Sequence, residues 1–196
     1  MKYYIEIGTS DFDTFTEQVK DDTNWSGIAV EPIRKLLDNI PIRDNTIYEN
    51  SAITNEDGSV YIYTITDEKV LNMDISYRGL STFNLNNDYI KGRNLTASFN
   101  KIIVNGITFK SLIEKYNFYN QLDYLKIDTE GFDCQVVYQV LEYYGNDISK
   151  LPKEIFFEVE HSYYSKVEAL KKVLYDYYLI EDVDNNHNLI CKLKNN

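Results

Sequence analysis

Two cysteines, Cys134 and Cys191, are too few for a disulfide framework and form no CxxC pair, so zinc and redox chemistry are not indicated and both read as reduced structural thiols. Cations are also scarce: 20 Lys and Arg face 31 Asp and Glu, and the net charge of -11 sets a repulsive field against phosphate backbones and anionic lipid headgroups. With no dense basic tract to offset that field, nucleic acid and membrane are disfavoured as partners. No apolar run approaches the ~18 residues of a spanning helix. The opening Met1-Lys2-Tyr3-Tyr4-Ile5-Glu6-Ile7-Gly8 reaches an acid and a glycine after few apolar positions, so no secretory signal is read and a soluble, cytoplasmic protein is expected.

What is present suits one globular unit. A length of 196 residues accommodates a single α/β domain, 1–196, and not two substantial ones. Tyr3 to Ile7 is a short apolar run closed by Gly8, followed by Phe12, Phe15 and Val19 at helical spacing. Gly27 to Val30 is a second run, closed by Glu31-Pro32, with Ile33, Leu36, Leu37 and Ile40 on one helical face beyond it. Thr46 to Ile53 reads as a third strand and Ser59 to Ile65 alternates as a partly exposed one. Lys101 to Val104 reads as a strand ended by a tight turn at Asn105-Gly106, with a helix from Thr108 to Tyr116. Further βα pairs follow at Leu122–Ile127 with Val136 to Leu141, and at Ile155–Val159 with Val167 to Leu174. The chain closes on a hairpin of Tyr178–Val183 and Leu189–Leu193.

Strands alternating with helices predict a Rossmann-like, doubly wound α/β fold with a mostly parallel sheet and a C-terminal antiparallel hairpin. Ligands of such sheets lie beyond the carboxyl ends of the strands, where strand order reverses. Residues 66–100 lose periodicity, and an excursion of that length reads as a substrate cover.

The first strand-to-helix turn, Glu6-Ile7-Gly8-Thr9-Ser10-Asp11-Phe12-Asp13, has one glycine where a dinucleotide fingerprint needs three, which weakens a nicotinamide reading. Glu31 ends the second strand about twenty residues beyond Gly8, where a carboxylate can accept from ribose hydroxyls. Asp128 and Glu130 close a buried strand, and Gly131 lets the chain turn there; they are candidates to orient a hydroxyl or take its proton, with His161, at the end of the Ile155–Val159 run, as the alternative base. Asp128, Glu130, Glu158, Glu160 and His161 also suggest a divalent-ion site, but strand alternation keeps them from converging, and no metal is assigned.

With these blocks in order, the sequence resembles the FkbM-type methyltransferases, which use S-adenosylmethionine to methylate hydroxyl groups, often on sugars or natural products. The resemblance is carried by Glu6 to Asp13, Val30-Glu31-Pro32, Asn50-Ser51-Ala52-Ile53 with Gly58, Lys126-Ile127-Asp128-Thr129-Glu130-Gly131 and Phe156 to His161. Phe12 departs from it, standing where a glycine is common. The resemblance implies that Glu6, Gly8 and loop atoms such as Thr9 and Ser10 face the methionine part of S-adenosylmethionine. It further puts Glu31 on the ribose and Ser51 and Ala52, in the Asn50 to Ala52 segment, on the adenine side; Asp128, read from its place at the strand end, is also a candidate to bind the cofactor ammonium. It predicts O-methylation of a small-molecule or glycan acceptor. A non-catalytic binding domain and an NAD-dependent oxidoreductase are the competing readings of the same sheet.

Overall fold

The computed structural model describes residues 1–194 except 66, 71, 72, 74, 87, 146 and 161. In chain order the first elements are β1 (Lys2–Ile7), α1 (Phe15–Gln18), β2 (Trp25–Val30), α2 (Arg34–Leu37), β3 (Thr46–Glu49), β4 (Ala52–Ile53) and β5 (Gly58–Ile65). The excursion carries α3 (Asp67–Val70), β6 (Ser81–Thr82) and α4 (Asp88–Gly92). After it come β7 (Phe99–Ile107), α5 (Phe109–Tyr116), β8 (Tyr124–Ile127), α6 (Asp133–Tyr144), β9 (Glu154–Glu158), α7 (Tyr164–Leu174), β10 (Tyr178–Val183) and β11 (Asn188–Leu193).

Seven strands form the main sheet in the order β10-β11-β9-β8-β1-β2-β3. The pairs β1/β2, β2/β3, β1/β8 and β8/β9 are parallel, and β11 runs antiparallel to both of its neighbours. The predicted closing hairpin is therefore present, with β11 inserted beside β9 and β10 at the edge. Strand order reverses at β1, whose neighbours are β2 and β8, so a crevice opens where those three strands end.

One face of the sheet packs its Ile and Val side chains, Ile5 and Ile7 of β1 among them, against α5, α6 and α7 in a single large core. Those helices supply Phe109, Leu112, Val136, Val137, Val140 and Leu170, all fully buried, at the spacing that puts apolar residues on one helical side. The opposite face is thinner. The helices expected after β1 and β2 shrink to one turn each, and polar contacts close the space: Tyr4 Oη hydrogen-bonds Thr16 Oγ1 and Thr46 Oγ1 at 3.1 and 2.9 Å. Cys134 and Cys191 are buried free thiols, and burial pushes their pKa values up to about 11 and about 12.

Two expectations change. The third strand does not run to Ile53: it ends at Glu49, and Ala52–Ile53 joins a second sheet ordered β4-β7-β5-β6. Asn105-Gly106 is not a turn, because β7 continues through it to pair with β5 from Gly58↔Gly106 to Ile65↔Phe99. Glycine is needed at 106 for packing: a Cβ would lie 2.8 Å from Thr54 Oγ1 and 3.0 Å from the Gly58 carbonyl oxygen. The second sheet carries its own small core of Ile65, Val70, Leu80, Ile90, Leu95 and Phe99, which roots the excursion. Among the described residues no helix is long and apolar enough to cross a membrane.

Candidate active site

At the strand-order reversal lies an open cleft of about 880 Å³ counting the solvent space of its mouth. Gly8, Thr9, Ser10 and Phe12 from the β1 turn, Glu31, Ser51 and Ala52, and Asp128 to Glu130 from the end of β8 all line it. The excursion contributes Gly79, Ser81, Thr82 and Phe83. Sequence reasoning placed these segments at the same ends of the sheet, and the fold brings them together.

Gly8 has φ +78°, and a Cβ there would collide with the Asp128 carbonyl oxygen. Only glycine lets the end of β1 pass so close to the end of β8. The β1 turn then folds back beneath Glu31, whose carboxylate accepts the backbone N–H groups of Ser10 and Ile33, both at 2.9 Å. Glu31 is 4% exposed, and burial pushes its carboxyl up to about 7 against the pull of those two donors. Each oxygen retains lone-pair capacity for further donors.

Ser51 is fully buried and its hydroxyl has a fixed polarity. It donates to Glu49 Oε1 and accepts from Asn105 Nδ2 at 2.7 Å. Although burial opposes ionisation, hydrogen bonds from Lys115, Ser51 and Tyr116 hold the Glu49 carboxyl below the usual range, and Lys115 Nζ sits at 2.6 Å. With its proton committed, Ser51 offers the cleft an acceptor and no donor.

The Asp128–Gly131 turn is shaped by a residue that the sequence reading passed over. Asp133, fully buried at the start of α6, accepts the N–H groups of Thr129 at 2.9 Å and Gly131 at 3.0 Å, and burial raises its pKa. An acid in the first turn of a helix two residues after a glycine was the available signal. Glu130 is held at φ +55°, and Thr82 of the excursion donates to its carbonyl at 2.8 Å. Arg78, also unremarked in the sequence, forms an ion pair with Asp11 of the β1 turn and so clasps the excursion onto it.

Glu6 is placed differently from the expectation. It stands opposite Lys126 in register, and its carboxylate takes Lys126 Nζ at 3.2 Å, Phe15 N at 2.7 Å and both the N–H and hydroxyl of Thr16 at 3.1 Å. It caps α1 on the thin face of the sheet and does not line the cleft. The Thr9 hydroxyl is likewise used, on the Ser10 carbonyl at 3.0 Å. His161 lies outside the described residues. Among those described, no three His, Cys, Asp or Glu side chains group as a metal cage would.

S-adenosylmethionine presents ribose hydroxyls, an adenine amine, an ammonium and a carboxylate. The cleft offers acceptors at Glu31 and Ser51, and two buried hydroxyl oxygens, Ser10 Oγ and Thr129 Oγ1, that have no hydrogen-bond partner among the described residues. A buried polar atom left without a partner costs about 1–3 kcal/mol, which a bound polar molecule relieves. The donor and acceptor set fits the group.

A mostly parallel sheet in this order, with its crevice at the β1 reversal, defines the class I, S-adenosylmethionine-dependent methyltransferases. The family model of the methyltransferase FkbM domain matches residues 6–186, and the chain belongs to that family. No curated protein matches the sequence. Solved structures with related shapes include a fibrillarin/Nop5p complex, with TM-score 0.47, 10% identity, and coverage of 100% of this chain and 73% of that one. The Methanococcus jannaschii fibrillarin pre-rRNA processing protein has TM-score 0.48 and 13% identity, covering 98% of this chain and 66% of its own. A human methyltransferase 10 domain containing protein has TM-score 0.46 and 10% identity, with 99% and 72% covered. Likenesses this distant bear on neither substrate nor partner.

Proposed function

We propose that the protein transfers a methyl group from S-adenosylmethionine to a hydroxyl oxygen of a small polar acceptor, with sugars and glycans the first class to test. The observation that carries this reading is that Asp128 and Glu130 line the same cleft as Glu31, Ser10 and the excursion residues Ser81 to Phe83. Two acidic residues thus line one cleft together with residues of the cofactor side and of the covering side. When bound, S-adenosylmethionine supplies an electrophilic methyl carbon on a sulfonium.

The residues do the rest. Glu31 receives the ribose hydroxyls, Ser51 the adenine amine, and Ser10 and Thr129 the polar end of the methionine part. An aliphatic hydroxyl gives up its proton only as its oxygen begins to bond to carbon, so a base must be held within hydrogen-bond reach of it. Asp128 and Glu130 serve as that base or orient the hydroxyl for His161. The excursion 66–100 closes over the acceptor and keeps water out.

Incubation with S-adenosylmethionine and a panel of sugars, glycans and small polyols, read by mass spectrometry, is expected to show methyl addition on oxygen. Addition on nitrogen or carbon only, or none across the panel, rejects the reading. If His161 is the base, His161→Ala lowers turnover ~100-fold with cofactor affinity preserved. Near-normal turnover in that variant from pH ~6 to ~9 assigns the proton to the carboxylates instead.

A further inference from the structure

A further pocket, about 520 Å³ counting the solvent space of its mouth, opens beside the main cleft and shares Thr82, Phe83 and Glu130 with it. Glu31 and Ser51 line the main cleft and not this pocket, whereas Glu130 lines both. Three elements that are distant in sequence build it: the chain after β6, the start of α6 and the start of α7. Phe83 and Phe132 meet at a centroid distance of 5.0 Å and an angle of 60°, forming a corner of two ring faces, and Tyr163, half exposed, stands across from them. Exposed aromatic surface at the mouth of a reaction cleft gains free energy when a ring covers it.

Two polar groups give the pocket a chemical direction. Gln135 Oε1 is buried and has no hydrogen-bond partner among the described residues, so it lacks an O–H or N–H donor. Lys166 lines the pocket with its Nζ 5.4 Å from the Tyr163 ring centroid, and among the described residues no carboxylate pairs with it. In a chain carrying eleven excess negative charges, a lysine without a carboxylate partner at this place is the pocket's cation, and Glu130 at the shared border is its anion. The lining thus carries one side chain of each sign.

We propose that this pocket is the acceptor subsite, and that it takes a ring-bearing acceptor whose anionic substituent reaches Lys166 while its reacting hydroxyl lies toward Glu130. The ring packs on Phe83, Phe132 and Tyr163, and a second hydroxyl donates to Gln135 Oε1. This rests on the methyltransferase reading above and adds to it the place, the residues and the charge of the acceptor. Lys166 is exposed, so its attraction for an anion is screened and moderate, and it selects among acceptors more than it binds them.

The test uses the full chain loaded with S-adenosylhomocysteine and two matched probe pairs, glucuronate with glucose and 4-hydroxybenzoate with 4-hydroxybenzyl alcohol, titrated by ligand-observed NMR. The acid of at least one pair is expected to bind fivefold or more tightly than its neutral partner. Lys166→Glu removes that preference, Gln135→Leu weakens both members about tenfold, and both variants bind S-adenosylhomocysteine as the parent does. Equal binding of acid and neutral partner in both pairs, or a preference that survives Lys166→Glu, overturns the proposal. Failure of the parent to bind S-adenosylhomocysteine by calorimetry is a separate readout and removes the cofactor assignment instead.

Discussion

At the scale of single residues, Glu31 links burial to pH. Its folded pKa of about 7 lies above the unfolded value of 4.5, so between those two pH values the folded protein holds a proton that the unfolded chain has released. The ligand-free protein therefore loses stability as pH rises through that window, by roughly 3 kcal/mol in all, and Glu31→Gln is expected to flatten the slope in denaturant titrations across it. Ribose hydroxyls donating to the carboxylate favour its ionised form, so S-adenosylmethionine affinity should rise between pH ~6 and ~8. Glu31→Ala weakens binding by ~1 to 3 kcal/mol with the fold intact. Calorimetry that finds unchanged affinity in this variant removes Glu31 from the site. Ser51 makes a different prediction, because Glu49 holds its proton and leaves only a lone pair toward the cleft. S-adenosylhomocysteine should bind ~10-fold more tightly than its inosine counterpart, whose base presents a carbonyl in place of the amine, and Ser51→Ala should erase the difference. Equal binding of the two by the parent protein counts against Ser51 as the contact.

At the scale of elements, the excursion is neither a bare loop nor part of the main sheet. It is rooted in the small core under β5 and β7, and three contacts tie it to the turns that flank the cleft: Arg78 on Asp11, Thr82 on the Glu130 carbonyl, and Phe83 on Phe132. The Asp11 side chain is 1% exposed, so removal of Arg78 takes away its cation and leaves the buried carboxylate with the Asn39 amide at 2.7 Å. Arg78→Ala is expected to speed release of S-adenosylhomocysteine about tenfold in stopped-flow measurements and to open residues 66–100 to limited proteolysis. Cofactor product together with an acceptor should slow that cutting in the parent. Cutting at equal rates with and without both ligands, once acceptor binding is proven, removes the covering role.

At the scale of the whole molecule, the net charge of -11 opposes compaction and the large core under α5, α6 and α7 holds against it. Screening should therefore help: raising sodium chloride from ~10 to ~200 mM is expected to increase Tm. A fall over that range would show that ion pairs such as Glu6–Lys126 and Asp11–Arg78 outweigh the repulsion. Saturating cofactor at ~100 times its Kd should add about 2.7 kcal/mol to the stability of the parent. At the same ligand concentration, thermal scans of the Glu31→Ala variant should lose between about 1 and about 2.4 kcal/mol of that increment.

The alternation of apolar runs with helical spacing was enough to determine the α/β class, the parallel sheet and the closing hairpin, because burying one face of each element is a local requirement written into residue order. The convergence of Gly8, Glu31 and Asp128 on one cleft was legible for a related reason: in such a sheet the carboxyl ends of successive parallel strands must fall on one edge. Other outcomes depended on neighbours that no local pattern names. Glu6 has the same sequence context whether it faces a ligand or caps α1, and its strand register against Lys126 decided for the cap. Asn105-Gly106 has the composition of a turn, and pairing with β5 drew it out as strand. Ser51 acquired its polarity from Glu49, Asn105 and Lys115, and the second pocket exists because chain after β6 settles on the starts of α6 and α7. The sequence determined which residues must be buried or stand at strand ends; only the tertiary structure decided where polar side chains spend their hydrogen bonds, since a hydrogen bond needs a partner within about 3 Å in space, and separation along the chain does not set that distance.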